Sequence, residues 1–587
     1  MTRPDSPALP PRQGLRRMFV EVPPRGRRWP AGVRAALAFG VPALVLLALG
    51  HQTEALLTAA GGFAVVYGEG RAFRARWAVV LVAGAALVAS AAVGGLVGQY
   101  APAHTVTGGA ILVVVLAVTA VIGAVVVDAL RLGPPGPFFF VLTCAIGSVV
   151  PLAGVSWAVN AGCVAIGAAW AAMVSMSPAV RDPIRRRRAD PRRAPERDAV
   201  AAAERAVAAF LTALDDTARD DDGSDGTAGH EHASGNRVVS ARHRAATAVD
   251  TAWATLHDAR IPARRPDDPL VARLLTVHHT FATAGAGLPP SPDHAADAVH
   301  DGIPMARPSV AFRLRRALHP HSHATTTAVR VGVASLVAGG LAVAAGLGRP
   351  DWAVVGAVLV LQQGPDRPRG LVRAAHRLAG TALGVVFFAA IFSLHPSGFV
   401  LVLILMGLQF LVELVIARNY GIAVVFITPL ALLIGGASHP GAQAWPLAAE
   451  RLLETTIGVA CAVAALWVVL PRAHRRCLDW CLVRTVTACE TLLVHLRGAT
   501  VDAPSSMALR RDVQFELTGA ALAAEHAVGD DRAWASRQWN RYLRVDTVGH
   551  GLLAACRTRG VGTIDPAPWL TRLPRENPRD VPSGASE

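Results

Sequence analysis

The chain has 587 residues, 52% of them hydrophobic, with a mean hydropathy of +0.39, so it carries more apolar sequence than a soluble core needs. Its formal net charge of +15 comes from arginine alone, because none of its basic residues is a lysine. The lack of lysine excludes a Walker A phosphate loop, a Schiff-base enzyme and a protein kinase, and makes an ATP-driven pump in this chain improbable. Seven cysteines, several inside apolar runs, do not indicate a disulfide framework.

Two hydrophobic blocks dominate the chain, one over residues 31–176 and one over residues 325–471. Both are rich in Ala, Val, Leu and Gly, with apolar runs near the ~20 residues that a helix needs to cross a bilayer. Six spans are predicted in the first block, near 33–50, 54–68, 77–99, 107–129, 136–153 and 154–176. Six more are predicted in the second, near 326–346, 352–364, 375–394, 398–417, 420–436 and 447–470. The sequence therefore predicts an all-α integral membrane protein of about 12 transmembrane helices, built by duplication.

Arginines mark every second connection between the predicted spans. In the first block they precede span one and follow spans two, four and six, and the second block repeats this rhythm. The alternate connections contain almost no arginine apart from Arg349, which lies beside Asp351. By the positive-inside rule both blocks begin and end in the cytoplasm, as two parallel six-helix repeats. We therefore expect a multi-pass protein of the cytoplasmic membrane with both termini inside and its first span retained rather than cleaved.

The polar stretches are predicted to be cytoplasmic and mostly helical. Residues 177–324 contain amphipathic runs over 196–219, 237–259 and 267–284, with an acidic, Gly- and Ser-containing linker over 220–236. Residues 472–587 are predicted to form helices to about 497 and again over 507–557. The basic residues 1–30 and the Pro-rich C-terminal end are predicted to be disordered.

Short, Gly- or Pro-interrupted spans occupy matching places in both blocks, which is where secondary transporters form their sites. The second and fifth spans of each block have this character, and polar residues gather beside them. Asp128 and Arg131 are three residues apart and can meet on one helical face, whereas Glu413 and Arg418 are five apart. These arginines are either interfacial anchors or the lining of a pathway for an anion, and the recurrence of Arg131 and Arg418 at equivalent places favours a pathway.

Four motifs in the second block then resemble a known family. They are a Trp-led short span from Trp352 to the Gln-Gln-Gly at 362–364, an Arg-x-x-Gly-Thr-x-x-Gly turn from Arg377, an Asn-Tyr-led span with Thr428-Pro429, and an Arg-x-x-Glu-Thr-x-x-Gly helix from Arg451. In this order they resemble the fusaric acid resistance family, which includes aromatic acid exporters. The first block matches more weakly, since it lacks the arginine near Gly84. The absence of lysine also suggests a GC-rich bacterial genome.

The resemblance implies export of weak organic, often aromatic, acids, without enzyme activity or cofactor. The residues expected to bind substrate are Arg377, Arg418, Asn419, Tyr420, Arg131, Trp352, Gln362 and Thr428, and Glu413 and Asp128 are expected to take up protons. Arginine suits a carboxylate through bidentate hydrogen bonds, and the aromatic rings can stack on an aromatic solute. Expected partners are a small organic anion and membrane lipid, with no nucleic acid and with a homo-oligomer left open. A passive anion channel and a non-transporting scaffold for envelope assembly remain alternatives.

Overall fold

A computed structural model describes residues 9–10, 14–20, 28–102, 105–133, 135–177, 193–222, 228–285, 302–364, 366–436, 444–558 and 562–574. The chain divides into two compact units. The membrane unit combines Gln13–Pro191 with Arg313–Pro471, and we call these two segments its first and second halves. The polar unit combines Met1–Arg12, Arg192–Phe312 and Arg472–Glu587.

The described residues are helical, without strands. The first half contains α1 (Leu15–Val20), α2 (Trp29–Ala48), α3 (Gln52–Ala55), α4 (Thr58–Gly62), α5 (Phe73–Tyr100), α6 (Val106–Leu130), α7 (Phe138–Val149) and α8 (Trp157–Met176). The polar unit begins with α9 (Ala194–Asp222), α10 (Ala228–Asp258), α11 (Ile261–Arg264) and α12 (Pro269–Gly285). The second half contains α13 (Val310–Ala317), α14 (His323–Ala344), α15 (Pro350–Leu361), α16 (Arg367–Phe392), α17 (Gly398–Val415), α18 (Tyr420–Gly436) and α19 (Ala444–Val468). The polar unit ends with α20 (Ala473–His495), α21 (Pro504–Asp530), α22 (Arg532–Thr558) and α23 (Ala567–Arg572).

Among the described residues, eight helices of the membrane unit are long and apolar enough to cross a bilayer: α2, α5, α6, α8, α14, α16, α17 and α19. Their outer faces expose large aliphatic side chains, such as Val82 on α5 and Val118 and Ile122 on α6. In water such faces would be unfavourable, whereas lipid accommodates them. The chain is therefore a multi-pass membrane protein, as the sequence predicts.

The predicted short spans are short or broken in the structure. In the second half they are α15 and α18, whose apolar part ends at Ile434. In the first half α7 continues into a 3₁₀ turn at Val150–Ala153, and the second span is divided between α3, α4 and a 3₁₀ turn at Phe63–Val66. Every residue of α15 from Pro350 to Leu361 is buried. A helix that is apolar all round lies inside protein rather than against lipid or water.

Small residues let the membrane helices approach closely. A Cβ atom at Gly94 or Gly98 of α5 would overlap the carbonyl oxygens of Cys144 or Ser148 on α7. In the second half, Gly380 and Gly384 of α16 lie close to α18 but less tightly, since a Cβ atom there would be 2.7 and 2.9 Å from the Gly421 and Val425 carbonyl oxygens. Close contact through small residues drives helix association in membranes, where lipid removes much of the hydrophobic driving force.

The polar unit joins two segments that are distant in sequence. Helices α9, α10 and α12 form one apolar core, which includes Phe210 and Trp253. Arg242 of α10 forms a buried ion pair with Asp546 of α22, which also lies 3.5 Å from His550 Nε2. This pair links the two segments.

Two predictions for the polar stretches need correction. The linker predicted over 220–236 is shorter, because α9 extends to Asp222 and α10 begins at Ala228, leaving 223–227 outside the described residues. The N-terminal 30 residues contain α1, where the Phe19 carbonyl accepts hydrogen bonds from His376 Nε2 at 2.9 Å and Asn419 Nδ2 at 3.1 Å. The rest of the predicted disorder, at 1–8, 11–13, 21–27 and 575–587, lies outside the described residues, as do the arginines at 181 and 185–188.

Candidate functional site

The N-terminus of α15 carries a buried ion pair. Arg349 donates from Nε to Asp351 Oδ1 at 3.0 Å and from Nη2 to Oδ2 at 2.9 Å, and Asp351 is 1% exposed. A bidentate pair of this kind satisfies both groups inside the protein. Because Asp351 lies in the first turn of α15, the positive end of the helix dipole adds to its stabilisation. The next residue, Trp352, is buried.

Arg451 of α19 stacks on Trp352. Its guanidinium carbon lies 3.5 Å from the centre of the indole ring, and the side chain is 2% exposed. Its Nε and Nη1 have no hydrogen-bond partner among the described residues. One turn further along α19, Glu454 is also buried, and its Oε1 has no partner in the described part of the chain. One face of the Arg451 guanidinium group thus stacks on an aromatic ring, while Nε and Nη1 have no acceptor among the described residues.

Arg377 of α16 is the second buried arginine of this kind. It is 1% exposed, and its Nε and Nη1 have no partner within the described ranges. Its charge acts on Arg451, so the two guanidinium groups lie in the same region. Tyr420 lies beside Arg377 and beside Arg373, whose guanidinium carbon is 4.3 Å from the tyrosine ring centre. Arg373 donates to the Leu359 carbonyl at 3.1 Å and is thereby held at the end of α15.

We call Arg349, Asp351, Arg377, Arg451 and Glu454 the arginine cluster. It holds three cations and two carboxylates, and Asp351 already neutralises Arg349. Other buried arginines nearby donate to main-chain carbonyls, as Arg330 does to Val469 and Leu470 at the end of α19. Leaving charged N–H groups unpaired inside protein is costly unless something else accepts them. One additional anion would neutralise the cluster and accept the N–H groups of Arg377 and Arg451.

The predicted residues at the start of α18 have different roles. Asn419 caps α18 by accepting from the Ile422 amide, and it binds Phe19. Thr428 donates to Val424 of its own helix and lies against Gly384, so its hydroxyl group is already bonded. Arg418 lies in the turn between α17 and α18 and is exposed, unlike Arg377. Gln362 ends α15, and its buried Oε1 lies close to Gly136 of the first half.

The pairing predicted for Asp128 and Arg131 needs correction. Arg131 adopts a left-handed backbone conformation, with φ 49°, and ends α6, so the two residues do not share a helical face. Asp128 instead lies 3.6 Å from His323, and its side chain is 47% exposed. Arg131 is exposed as well. Both therefore lie at the end of a span and outside the arginine cluster.

Glu413 belongs to a second charged group. It is 5% exposed and lies 3.6 Å from Arg28, which also pairs with Glu69 at 3.0 Å. This group joins the first half to α17 of the second half, and Arg34 lies 4.0 Å from Glu69. Because Glu413 and Glu69 share Arg28, one carboxylate can take up a proton while Arg28 stays paired with the other.

Sequence reasoning gave no role to Arg451, Glu454 or Arg373. Arg451 and Glu454 stand in the Arg-x-x-Glu-Thr-x-x-Gly motif, and that motif is the signal that could have identified them. What the sequence could not show is that α15, α16 and α19 bring Trp352, Arg377 and Arg451 together.

The first half has glycine contacts equivalent to those between α15 and α19, but it lacks the charged residues of the arginine cluster at the matching positions. A Cβ at Gly458 would overlap the Ala353 carbonyl, and a Cβ at Gly167 would overlap the Thr58 carbonyl. Likewise Gly356 faces Gly458, and Gly61 faces the backbone of Val164 and Gly167. Counting along the sequence from these matched contacts makes Asn160 the equivalent of Arg451 and Cys163 the equivalent of Glu454. Leu57 is in the same way the equivalent of Trp352.

Two comparisons with known proteins found matches to this chain. Residues 336–465, which include most of the second half and its arginine cluster, match a family described as fusaric acid resistance protein-like. The match confirms the resemblance that the four motifs indicate. The chain is also 26% identical over 478 residues to "Uncharacterized membrane protein YvaC" of Bacillus subtilis (strain 168), an alignment covering 73% of this chain and 71% of that protein. No solved structure matches the chain significantly.

Proposed function

We propose, from the premise that the second half belongs to the fusaric acid resistance protein-like family, that this membrane protein is a secondary exporter of weak organic acid anions. The family is associated with efflux. The observation that carries the proposal is the pair of buried arginines, Arg377 and Arg451, whose N–H groups include four without acceptors among the described residues. A carboxylate supplies two oxygens in the geometry that guanidinium groups favour.

Tyr420 suits the proposed site to an acid with an apolar body, and Trp352 orients the arginine that would bind the carboxylate. Trp352 holds Arg451 flat against its ring, and Tyr420 lies beside Arg377. Amphiphilic acids enter cells as neutral molecules and accumulate as anions at cytoplasmic pH, so an exporter needs a cationic, partly apolar site. The cluster provides one whose charge balances when a single anion binds.

The proposal includes the topology predicted from arginine placement. We infer 12 spans in two parallel repeats, counting the four short or broken segments with the eight long helices. Both termini are then cytoplasmic. Glu413, which shares Arg28 with Glu69, is the proposed proton carrier, because protonating one of two neighbouring carboxylates relieves their mutual repulsion. Asp128 is the weaker candidate, being half exposed at the end of α6.

The test is the intracellular accumulation of a panel of aromatic and aliphatic carboxylic acids. Cells would express the wild type, Arg377→Gln or Arg418→Gln at equal membrane levels. Cells with the wild type should hold less of at least one acid, and Arg377→Gln should abolish this difference. Arg418→Gln is the matched control at an exposed position, and should have the smaller effect.

The outcomes separate the alternatives. Export against the electrochemical gradient of the acid supports a coupled transporter, whereas flux that only follows the gradient would favour a passive anion channel. If no acid differs between cells with and without the protein, the transport proposal fails and the scaffold alternative gains support. Unchanged export by well-folded Arg377→Gln would overturn the assignment of the site.

A further inference from the structure

The second charged group of the membrane unit includes one more arginine, Arg76 of α5. It lies in the first turn of this helix, and its Cγ atom is 3.5 Å from the position that a Cβ atom at Gly68 would occupy. Arg76 is also close enough to Arg34 and Glu69 for their charges to act on it. We call the five charged residues the α5 charge group: Arg28, Arg34, Glu69, Arg76 and Glu413.

The two carboxylates of the α5 charge group are paired with Arg28 and Arg34. Arg28 Nη2 donates to Glu69 Oε2 at 3.0 Å and lies 3.6 Å from Glu413 Oε2, while its Nε donates to the Glu413 main-chain carbonyl at 3.2 Å. Arg34 Nη2 lies 4.0 Å from Glu69 Oε1. Within the α5 charge group, three cations thus face two carboxylates.

Arg76 is the arginine of this group that lacks a carboxylate. It is 5% exposed, and its buried Nε has no hydrogen-bond partner among the described residues. Its guanidinium carbon lies 5.9 Å from the ring centre of Phe73, which is too weak an interaction to replace an acceptor. A buried charged N–H group without an acceptor is costly, so an anion that reaches Arg76 would be stabilised.

Exposed tryptophans place the α5 charge group at the level of the lipid headgroups. Trp29 follows Arg28 at the start of α2, and Trp77 follows Arg76 in α5; they are 36% and 50% exposed. Tryptophan is enriched at the membrane–water interface. Leu81 lies one turn beyond Trp77 on the same face of α5 and is 47% exposed. This face therefore runs from the headgroups into the hydrocarbon and offers an acyl chain a surface.

Two helix ends add positive potential at the same level. Arg28 is the N-cap of α2, and α5 begins three residues before Arg76. Neither helix has a side chain that accepts a hydrogen bond at its N-cap. The N-terminus of a helix carries a partial positive charge, which favours an anion nearby.

We propose that the α5 charge group binds the phosphate of an anionic phospholipid, whose acyl chain lies along the Trp77–Leu81 face of α5. The phosphodiester carries one negative charge, which balances the excess cation, and its oxygens would accept from Arg76. Basic sites between transmembrane helices bind anionic headgroups in this way. A soluble anion would meet the same arginines but would make no use of the apolar face.

The proposed lipid would bind where the two halves of the membrane unit meet, since Arg28 contacts Glu69 of the first half and Glu413 of the second. The inference does not depend on transport, because it uses none of the residues of the arginine cluster. Its failure would leave the export proposal standing, since no measurement of export enters its test.

The test is native mass spectrometry of the full chain in detergent micelles, titrated with phosphatidylglycerol or with phosphatidylcholine of the same acyl chains. The wild type should bind the first phosphatidylglycerol about 10-fold more tightly than phosphatidylcholine, and Arg76→Gln should remove this preference. Arg369→Gln is the matched control, at an arginine in the first turn of α16 whose side chain is 52% exposed and lies 3.8 Å from Asp366. It should keep the preference.

Glu69→Gln covers the case in which Arg76→Gln does not fold. It keeps an oxygen that can accept from Arg28 but removes one negative charge from the group. Binding of phosphatidylglycerol should therefore tighten by roughly 2–5-fold, a gain that a misfolded protein cannot show. Glycerophosphoglycerol, the headgroup without acyl chains, should not compete at the same concentration.

Four results would overturn the proposal. Three of them are equal affinities of the wild type for the two lipids, an unchanged preference in folded Arg76→Gln, and no tightening in Glu69→Gln. The fourth is competition by glycerophosphoglycerol, which would assign the arginines to a soluble anion instead of a lipid.

Discussion

The two halves of the membrane unit share a helical framework but differ in what they bury within it. At positions matched by the glycine contacts, Arg451 of the second half corresponds to Asn160 of the first, and Glu454 corresponds to Cys163. Trp352 corresponds to Leu57. Asn160 is also satisfied, because its Nδ2 donates to the Ala91 carbonyl at 3.3 Å. The difference indicates that close glycine packing maintains the architecture, while at these matched positions the charges of the arginine cluster occur in the second half alone.

The largest expected effect comes from giving the second half the residues of the first. In Arg451→Asn/Glu454→Cys both charges disappear together, so neither remains buried alone. We expect the protein to fold and export to be lost, because a charge-assisted hydrogen bond contributes about 1.5–3 kcal/mol, or roughly 10–150-fold in affinity. The loss of export is measured as the intracellular accumulation of organic acids in cells with equal membrane levels of wild type and variant.

The single variant Arg451→Asn is the control for charge balance. It removes one of the three cations of the cluster and leaves two cations with two carboxylates, so its charges balance. The single variant should therefore be at least as stable as the double one in thermal unfolding. Equal export by the double variant and the wild type would contradict the role of the cluster.

Alanine substitutions at the matched glycines should destabilise the protein equally in both halves. Gly458→Ala and Gly167→Ala each drive a methyl group into a facing carbonyl, so each should destabilise the protein by about 1–3 kcal/mol. Thermal unfolding in nanodiscs is the measurement.

The controls for these two variants are Gly340→Ala and Gly162→Ala, one in each half. A Cβ at either position meets nothing within 4 Å, so these variants should be neutral or slightly stabilising. A marked difference between Gly458→Ala and Gly167→Ala would argue against the equivalence of the two positions.

A smaller effect is expected for Trp352→Leu, which again introduces the first-half residue. Because Arg451 already covers the indole face, the loss should come from a cation–π interaction worth about 0.5–2 kcal/mol. Export of aromatic and aliphatic acids should then fall by the same factor, roughly 2–30-fold. A loss restricted to aromatic acids in the same accumulation assay would instead mean that Trp352 contacts the substrate.

The smallest effects are expected in the first half. Asn160→Ala removes one hydrogen bond, worth about 0.5–1.5 kcal/mol, and Cys163→Ala removes one buried sulfur. Neither should change export when the assay is normalised to membrane protein. A large loss of export from either variant would show that both halves contribute to the site, which would undo the comparison.

The sequence was informative about features that depend on local patterns. The hydropathy of residues 375–394 predicted a span that the structure places in α16, and the short fully apolar run after Trp352 predicted α15. Arg377 was identified because it begins a recognisable turn. The linker was predicted too long, because the Gly and Ser residues of 228–236 suggest flexibility, yet this stretch forms the first turns of α10.

The arrangement of the site could not be predicted in this way. Trp352 and Arg451 are neighbours only because α15 and α19 meet, and nothing local in either stretch indicates the stacking. The spacing of Asp128 and Arg131 was misleading, because three residues apart implies one helical face only while the helix continues. The helix ends between them, and the left-handed conformation of Arg131 turns the chain away.

The ion pair between Arg242 and Asp546 joins residues 304 positions apart, with the whole second half of the membrane unit between them. At a ribosomal rate of 5–20 residues per second, roughly 15–60 s separate the synthesis of the two partners. During that interval, the face of α10 and α12 that later contacts α22 has no partner to cover it. The polar unit can therefore complete its assembly only after the second half of the membrane unit has been synthesised.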